Sequence, residues 1–149
     1  MRTCAAHLLC PGGCMQLDIS IAIDSSGSMG QTGWNTSIDF SLSLLRRVNV
    51  SSECVRVSML SFGSEGYLHS MLADGTSLSS VTSVVSAMRF KQEWTNTGAA
   101  IKLMTEQVFS VDTRENVLKL GLIITDGPSN REQQHTVPNA QVTQQPHTF

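Results

Sequence analysis

The chain has 149 residues, 40% of them hydrophobic, and a formal net charge of -2 at pH 7. This length and apolar content suit one domain with a single core, and the near-balanced charge argues against nucleic acid or an acidic membrane surface as a partner. No apolar run reaches the roughly 18–20 residues that a membrane-spanning helix requires, so we expect no membrane span.

Cysteines crowd the start of the chain. Cys4, Cys10 and Cys14 lie within the first 14 residues, and Cys54 lies further along. This crowding resembles the end of a small disulfide-rich module, so residues 1–14 are predicted to form a separate cysteine-containing segment ahead of one domain over 15–149. A zinc site is the alternative, but no histidine stands at ligand spacing from a cysteine pair.

The first predicted element is a strand that ends in an acidic, serine-rich loop. Residues 17–23 alternate large aliphatic side chains with polar or small ones, which predicts a strand, and Asp24 stands at its carboxyl end. In a parallel α/β sheet, loops at that end form the ligand crevice, so Asp24, Ser26 and Ser28 are predicted to face it. Their oxygens suit a hard cation such as Mg²⁺ and suit zinc poorly. The alternative is a turn that caps a helix.

The next predicted elements are helices and strands in succession. Residues 34–48 place Ile38, Leu42 and Leu45 at helical spacing, which predicts an amphipathic helix. Strands are predicted over 55–62 and 67–72, and the short turn between them leaves no room for a crossover helix, so they form an antiparallel edge hairpin. Helices are predicted over 77–90 and 97–109, and a strand over 117–125. The order β-α-β-β-α-α-β predicts a sheet that is parallel wherever a helix intervenes.

Two later loops repeat the chemistry of the first. Thr95 and Thr97 open a predicted helix, and Asp126 follows the last predicted strand. The three motifs, in chain order, are Asp24-x-Ser26-x-Ser28, Thr95-x-Thr97-Gly98 and Ile124-Thr125-Asp126-Gly127. Together, from about residue 18 to at least 130, they resemble the von Willebrand factor type A domain family, in which three such loops form a metal-ion-dependent adhesion site.

The resemblance implies an α/β fold: a doubly wound, mostly parallel, Rossmann-like sheet with one antiparallel edge strand. It also implies the metal ligands. Ser26 and Ser28 would bind the ion through their hydroxyls, Thr95 would join when a partner is bound, and Asp24 and Asp126 would act as carboxylates, often through water. Because two carboxylates at one site repel each other, we expect the removal of either to leave the stability of the metal-free fold unchanged or to raise it.

The resemblance also bears on the ends of the chain. A domain of this family continues with two strands and a closing helix, so the domain over 15–149 is expected to be C-terminally incomplete, with at most one more helix over 136–145. In this topology, Cys14 lies just ahead of the first strand and Cys54 just ahead of its neighbour, which predicts a disulfide between them. A bridge from Cys14 to Cys4 or Cys10 is the alternative pairing.

The function implied is adhesion rather than catalysis. The ion, Mg²⁺ or else Mn²⁺ or Ca²⁺, would bind an Asp or Glu of an extracellular protein, such as collagen or another matrix protein, and the chain would be secreted. Two sequons, at Asn35 and Asn49, are compatible with secretion. An intracellular A-domain scaffold is the alternative. A metal-dependent hydrolase fits less well because Ser26 stands where such enzymes need a second acid, and no nucleophile elbow surrounds Ser28.

Overall fold

The computed structural model describes residues 13–111 and 114–128. Its strands are β1 (Leu17–Asp24), β2 (Val55–Phe62), β3 (Gly66–Ser70) and β4 (Leu118–Ile124). They form one sheet in the order β3-β2-β1-β4. β1 pairs in parallel with β2 and with β4, whereas β3 runs antiparallel to β2. The predicted mostly parallel sheet with one antiparallel edge strand is therefore confirmed.

Three helices connect and cover the strands. They are α1 (Gly30–Leu45), α2 (Leu78–Ala87) and α3 (Thr97–Leu103), which continues in a π-helical turn over Met104–Val108. The prediction for α1 is wrong at its start, because a 3-10 turn over Gly27–Met29 leads directly into a helix that begins at Gly30. The first residues of α1 carry no apolar stripe, so periodicity could not reveal that they are helical.

The helices cover both faces of the sheet, as in a doubly wound fold. Ile21 and Ile23 of β1 pack on one face with Trp34 of α1 and Val81 of α2. On the other face, Ala22 joins a second cluster that contains Phe62 of β2 and Ala100 of α3. As a result, every residue of β1 is buried, including its polar ones. Alternation along this strand therefore separates two buried faces instead of a buried face from solvent.

A buried charge cluster stabilises the amino end of the sheet. Asp18 has no solvent exposure, and its carboxylate forms ion pairs with Arg56 at 2.9 Å and with Arg114 at 2.8 Å. Burial by itself would raise the pKa of Asp18, but the hydrogen bonds and charges of the two arginines outweigh it and hold that pKa below its usual value of 3.8. Arg114 also donates to the carbonyls of Leu17 and Cys54, so the cluster joins β1 to the start of β2.

The predicted disulfide between Cys14 and Cys54 is present, with the two Cα atoms 5.7 Å apart. It lies at the same end of the sheet, where the N–H of Leu17 donates to the carbonyl of Cys54 at 3.1 Å. Cys4 and Cys10 lie outside the described residues, as does the expected helix over 136–145. β4 ends the sheet within the described residues, and Leu118 and Leu120 on it are exposed.

We expect reduction of this disulfide to lower the free energy of unfolding by about 2–4 kcal/mol, because it closes a loop of 40 residues in the unfolded chain. Denaturant unfolding with and without reductant measures the difference. Peptide mapping without reductant should recover the Cys14–Cys54 peptide pair. A stability that reduction leaves unchanged would contradict the expectation, as would a bridge from Cys14 to Cys4 or Cys10.

Candidate functional site

The candidate site lies at the carboxyl ends of β1 and β4. The pairing register places Ile23 of β1 beside Ile124 of β4, so the residues that follow each strand emerge side by side. Asp24 is the last residue of β1, and Thr125 and Asp126 follow β4 directly. Parallel pairing of neighbouring strands is therefore what brings together two acids about one hundred positions apart in the chain.

Asp24 has no solvent exposure, and both of its carboxylate oxygens accept hydrogen bonds. Oδ1 accepts from the backbone N–H of Ser26 at 2.8 Å, and Oδ2 accepts from the hydroxyl of Thr125 at 2.7 Å. The carboxylate is thus held in one orientation and joins the β1 loop to the β4 loop. Sequence reasoning assigned no role to Thr125, for which the only signal is a hydroxyl at the end of a predicted strand.

Ser26, Ser28 and Asp126 form a chain of side-chain contacts beside Asp24. The hydroxyl of Ser28 donates to Oδ1 of Asp126 at 3.2 Å, and the hydroxyl oxygens of Ser26 and Ser28 lie 3.1 Å apart. Because the Ser28 proton is directed at Asp126, Ser26 is the donor in the second contact. Ser26 is buried, whereas Ser28 and Asp126 are exposed. Three of the predicted ligand residues are therefore joined by hydrogen bonds, and two of them are exposed.

Thr95 lies on the same groove as these serines. The groove has a volume of about 430 Å³ and is lined by Ser26, Gly27, Ser28, Gln92, Glu93, Trp94 and Thr95. The loop that precedes α3 reaches this position because the N–H of Gly27 donates to the carbonyl of Glu93 at 2.8 Å. Asp24, Ser26, Ser28, Thr95 and Asp126 thus lie at one end of the sheet.

Glu93 is a third acid at the groove, and sequence reasoning missed it. Its carboxylate accepts the hydroxyl of Tyr67 and the N–H of Ser64, each at 2.9 Å. Burial, and next the hydrogen bond and charge of Glu93, raise the pKa of Tyr67 to about 12. The phenol therefore stays protonated at neutral pH and keeps Glu93 hydrogen-bonded. Nothing in the spacing of the motifs indicates this pair, because the two residues meet only in the tertiary fold.

The structure pairs His69 with Ser61 at 2.8 Å. Ser61 has no solvent exposure and is absent from the groove lining, so a substrate in the groove would not reach its hydroxyl. Burial, with the charge of Lys91, lowers the pKa of His69.

The oxygen atoms at this end of the sheet suit a hard divalent cation. Asp24, Ser26, Ser28, Thr95 and Asp126 provide only oxygen, which Mg²⁺, Mn²⁺ and Ca²⁺ prefer. Among residues 13–111 and 114–128, no cluster of three or more His, Cys, Asp or Glu side chains is positioned to bind a metal. Any ion at this site would therefore rely on hydroxyls for most of its protein ligands.

Comparisons with known proteins give a family match and several similar sequences. The family model described as "von Willebrand factor type A domain" matches residues 18–146. Vitrin from Mus musculus is 31% identical over 124 residues, which cover 83% of this chain and 19% of vitrin. The collagen alpha-6(VI) chain of Mus musculus is 30% identical over 115 residues, or 76% of this chain and 5% of that one. The chain thus spans about a fifth or less of the length of these relatives.

Solved structures share the fold. Proximal thread matrix protein 1 from the mussel byssus, "with zinc occupied MIDAS motif", superposes with a TM-score of 0.74 at 19% identity, over 85% of this chain and 33% of that one. Manganese-loaded TRAP protein of Plasmodium vivax gives a TM-score of 0.75 at 23% identity, over 85% of this chain and 52% of that one. Within the described residues, no helix is both long enough and apolar enough to cross a membrane.

Proposed function

This chain belongs to the von Willebrand factor type A domain family, and on that premise we propose that its groove holds a divalent cation that binds an acidic side chain of a protein partner. The observation that carries the proposal is the set of contacts that runs from Asp24 through Ser26 and Ser28 to Asp126. The site lies within a domain that we propose to extend over residues 15–149, after a short cysteine-containing segment.

The proposed roles are those that the family resemblance implies for these residues. Ser26 and Ser28 would bind the ion directly, and Asp24 and Asp126 would supply the negative charge that it needs. Thr95 would become a ligand when a partner is bound. When bound, the cation supplies positive charge and a coordination position for a carboxylate. Without it, an acidic partner would meet Asp24, Asp126 and Glu93 together, so we expect binding to require the metal.

The proposed partner is an extracellular protein that offers Asp or Glu, such as collagen or another matrix protein. Two observations support this choice: a collagen chain is among the relatives, and a fold neighbour is named as a thread matrix protein. The disulfide between Cys14 and Cys54 supports a secreted location, since structural disulfides are rare in the cytosol. It thereby disfavours an intracellular scaffold. We propose a binding module and no enzyme.

Calorimetric titration of Mg²⁺ and Mn²⁺ into the 149-residue chain tests the metal site. The parent should bind one ion, and Ser28→Ala should weaken binding by at least about 10-fold, since changes even outside the ligand set of a metal often cost that much. Ser43→Ala, on the exposed side of α1, is the matched control and should bind as the parent does. Binding to immobilised collagen should then disappear on chelation. A parent that binds neither ion would refute the proposal.

A further inference from the structure

Trp94 is exposed at the edge of the groove. Its exposed fraction is 63%, whereas Trp34, the other tryptophan, is 4% exposed and stacks on Phe90 with ring centroids 5.8 Å apart. Trp94 lines the groove together with Ser26, Ser28 and Thr95. The fold therefore leaves this large aromatic side chain exposed, and it borders the same groove as three residues of the proposed metal site.

The backbone that carries Trp94 is tied to its surroundings on both sides. Just before it, the carbonyl of Glu93 accepts the N–H of Gly27 at 2.8 Å. Just after it, the N–H of Asn96 donates to the carbonyl of Gly63 at 2.9 Å. A Cβ atom on Gly63 would lie 2.7 Å from the Glu93 side chain, so this close packing requires a glycine. Because its backbone is held this way, Trp94 would lose little backbone freedom when a partner binds.

We propose that Trp94 binds an apolar side chain of the same partner segment whose carboxylate enters the metal site. This inference rests on the proposed function and specifies its ligand. Trp94 and Thr95 are consecutive, so their Cα atoms are about 3.8 Å apart. An extended partner segment would then place its apolar residue one or two positions from its acidic residue. The partner motif is therefore an Asp or Glu with an aliphatic or aromatic neighbour.

The chemistry of the groove supports a ligand with two contacts, a carboxylate at the cation and an apolar side chain at Trp94. The cation would select for a carboxylate but would not distinguish one acidic peptide from another, so specificity must come from contacts nearby. Tryptophan is enriched among the interface residues whose truncation most weakens binding, because a large rigid surface is buried at low entropic cost. The remaining side chains that line the groove, apart from Trp94, are polar or absent. Trp94 therefore provides the apolar contact surface of the groove.

An array of peptides tests this inference on the 149-residue chain. Each acetylated peptide carries one central Glu in a Ser-Gly background, with Leu, Phe or Ser placed one or two positions away. In Mn²⁺, the parent should bind Leu and Phe peptides about 10-fold more tightly than Ser peptides. Trp94→Ala should lose that preference and keep its affinity for Mn²⁺, and Trp94→Phe should restore most of the preference. Phe40→Ala, which alters an exposed aromatic on α1, is the matched control and should behave as the parent does.

A second readout follows Trp94 directly. Acrylamide should quench the fluorescence of the exposed Trp94 and leave that of the buried Trp34 largely unchanged. A bound Leu peptide, in the presence of Mn²⁺, should reduce the quenching of Trp94. If the parent binds Glu peptides only with metal but shows no apolar preference, or if Trp94→Ala keeps that preference, the inference is wrong and the proposed metal site stands. If Glu peptides bind equally well with chelator, the proposed function itself fails.

Discussion

Asp18→Asn should lower the free energy of unfolding by about 3–5 kcal/mol, the range found when one partner of a buried ion pair is removed. The carboxylate is fully buried, and its two partners are largely so, with side-chain exposures of 11% for Arg56 and 19% for Arg114. An amide keeps the shape of the side chain but removes the negative charge that both guanidinium groups contact. Chemical denaturation of both proteins at neutral pH measures the loss.

Asp39→Asn, at an exposed position of α1, is the matched control and should change stability by no more than about 0.5 kcal/mol. Equal stability of Asp18→Asn and the parent would show that the charge cluster does not stabilise the fold.

The same charge cluster predicts that the free energy of unfolding depends on pH. The pKa of Asp18 is lower in the folded protein than its usual value of 3.8. The contribution of the carboxylate is therefore fully present above the pKa of the unfolded chain and is lost as the pH falls through the folded pKa. The unfolding free energies of the parent and of Asp18→Asn should differ by a constant amount at neutral pH and converge in acid. Curves that stay parallel down to the lowest pH would contradict this.

Asp24→Ala and Asp126→Ala should both abolish metal binding but differ in their effect on the metal-free fold. Asp24→Ala removes the acceptor of the buried Ser26 N–H and of the Thr125 hydroxyl, which should cost about 1–3 kcal/mol. Asp126 is exposed and accepts only from Ser28 among the hydrogen bonds seen, so Asp126→Ala should change stability by less than about 0.5 kcal/mol. For Asp24, this replaces our expectation from repulsion alone that stability would hold or rise.

Two measurements on the same preparations separate the effect on metal binding from the effect on stability. Calorimetric titration of Mn²⁺ measures the first, and denaturation in chelator measures the second. Metal binding by Asp24→Ala at the strength of the parent would refute the metal site. If the two variants are equally stable without metal, the hydrogen bonds to Asp24 do not hold the two loops together. Asp39→Ala should leave both measurements unchanged and serves as the control for a lost surface carboxylate.

The order of the elements, the edge hairpin and the three motif loops could be predicted because their signals are local. A strand or a helix repeats its apolar residues within a few positions, and a short turn between two strands excludes a crossover helix. Placement of the loops at one end of the sheet then follows from parallel pairing. The partner of Cys14 could be predicted from the topology that the family resemblance implies, in which Cys54 precedes the neighbouring strand.

The tertiary structure alone decided which polar side chains meet. Asp18 finds Arg56 and Arg114 at separations of 38 and 96 residues, and Thr125 reaches Asp24 across 101. Polar contacts of this kind have no period along the chain, and each depends on where two distant loops are placed by the packing of the core. The exposure of Trp94 has the same origin. Its position beside the groove follows from backbone hydrogen bonds to two other loops, which no local pattern of residues encodes.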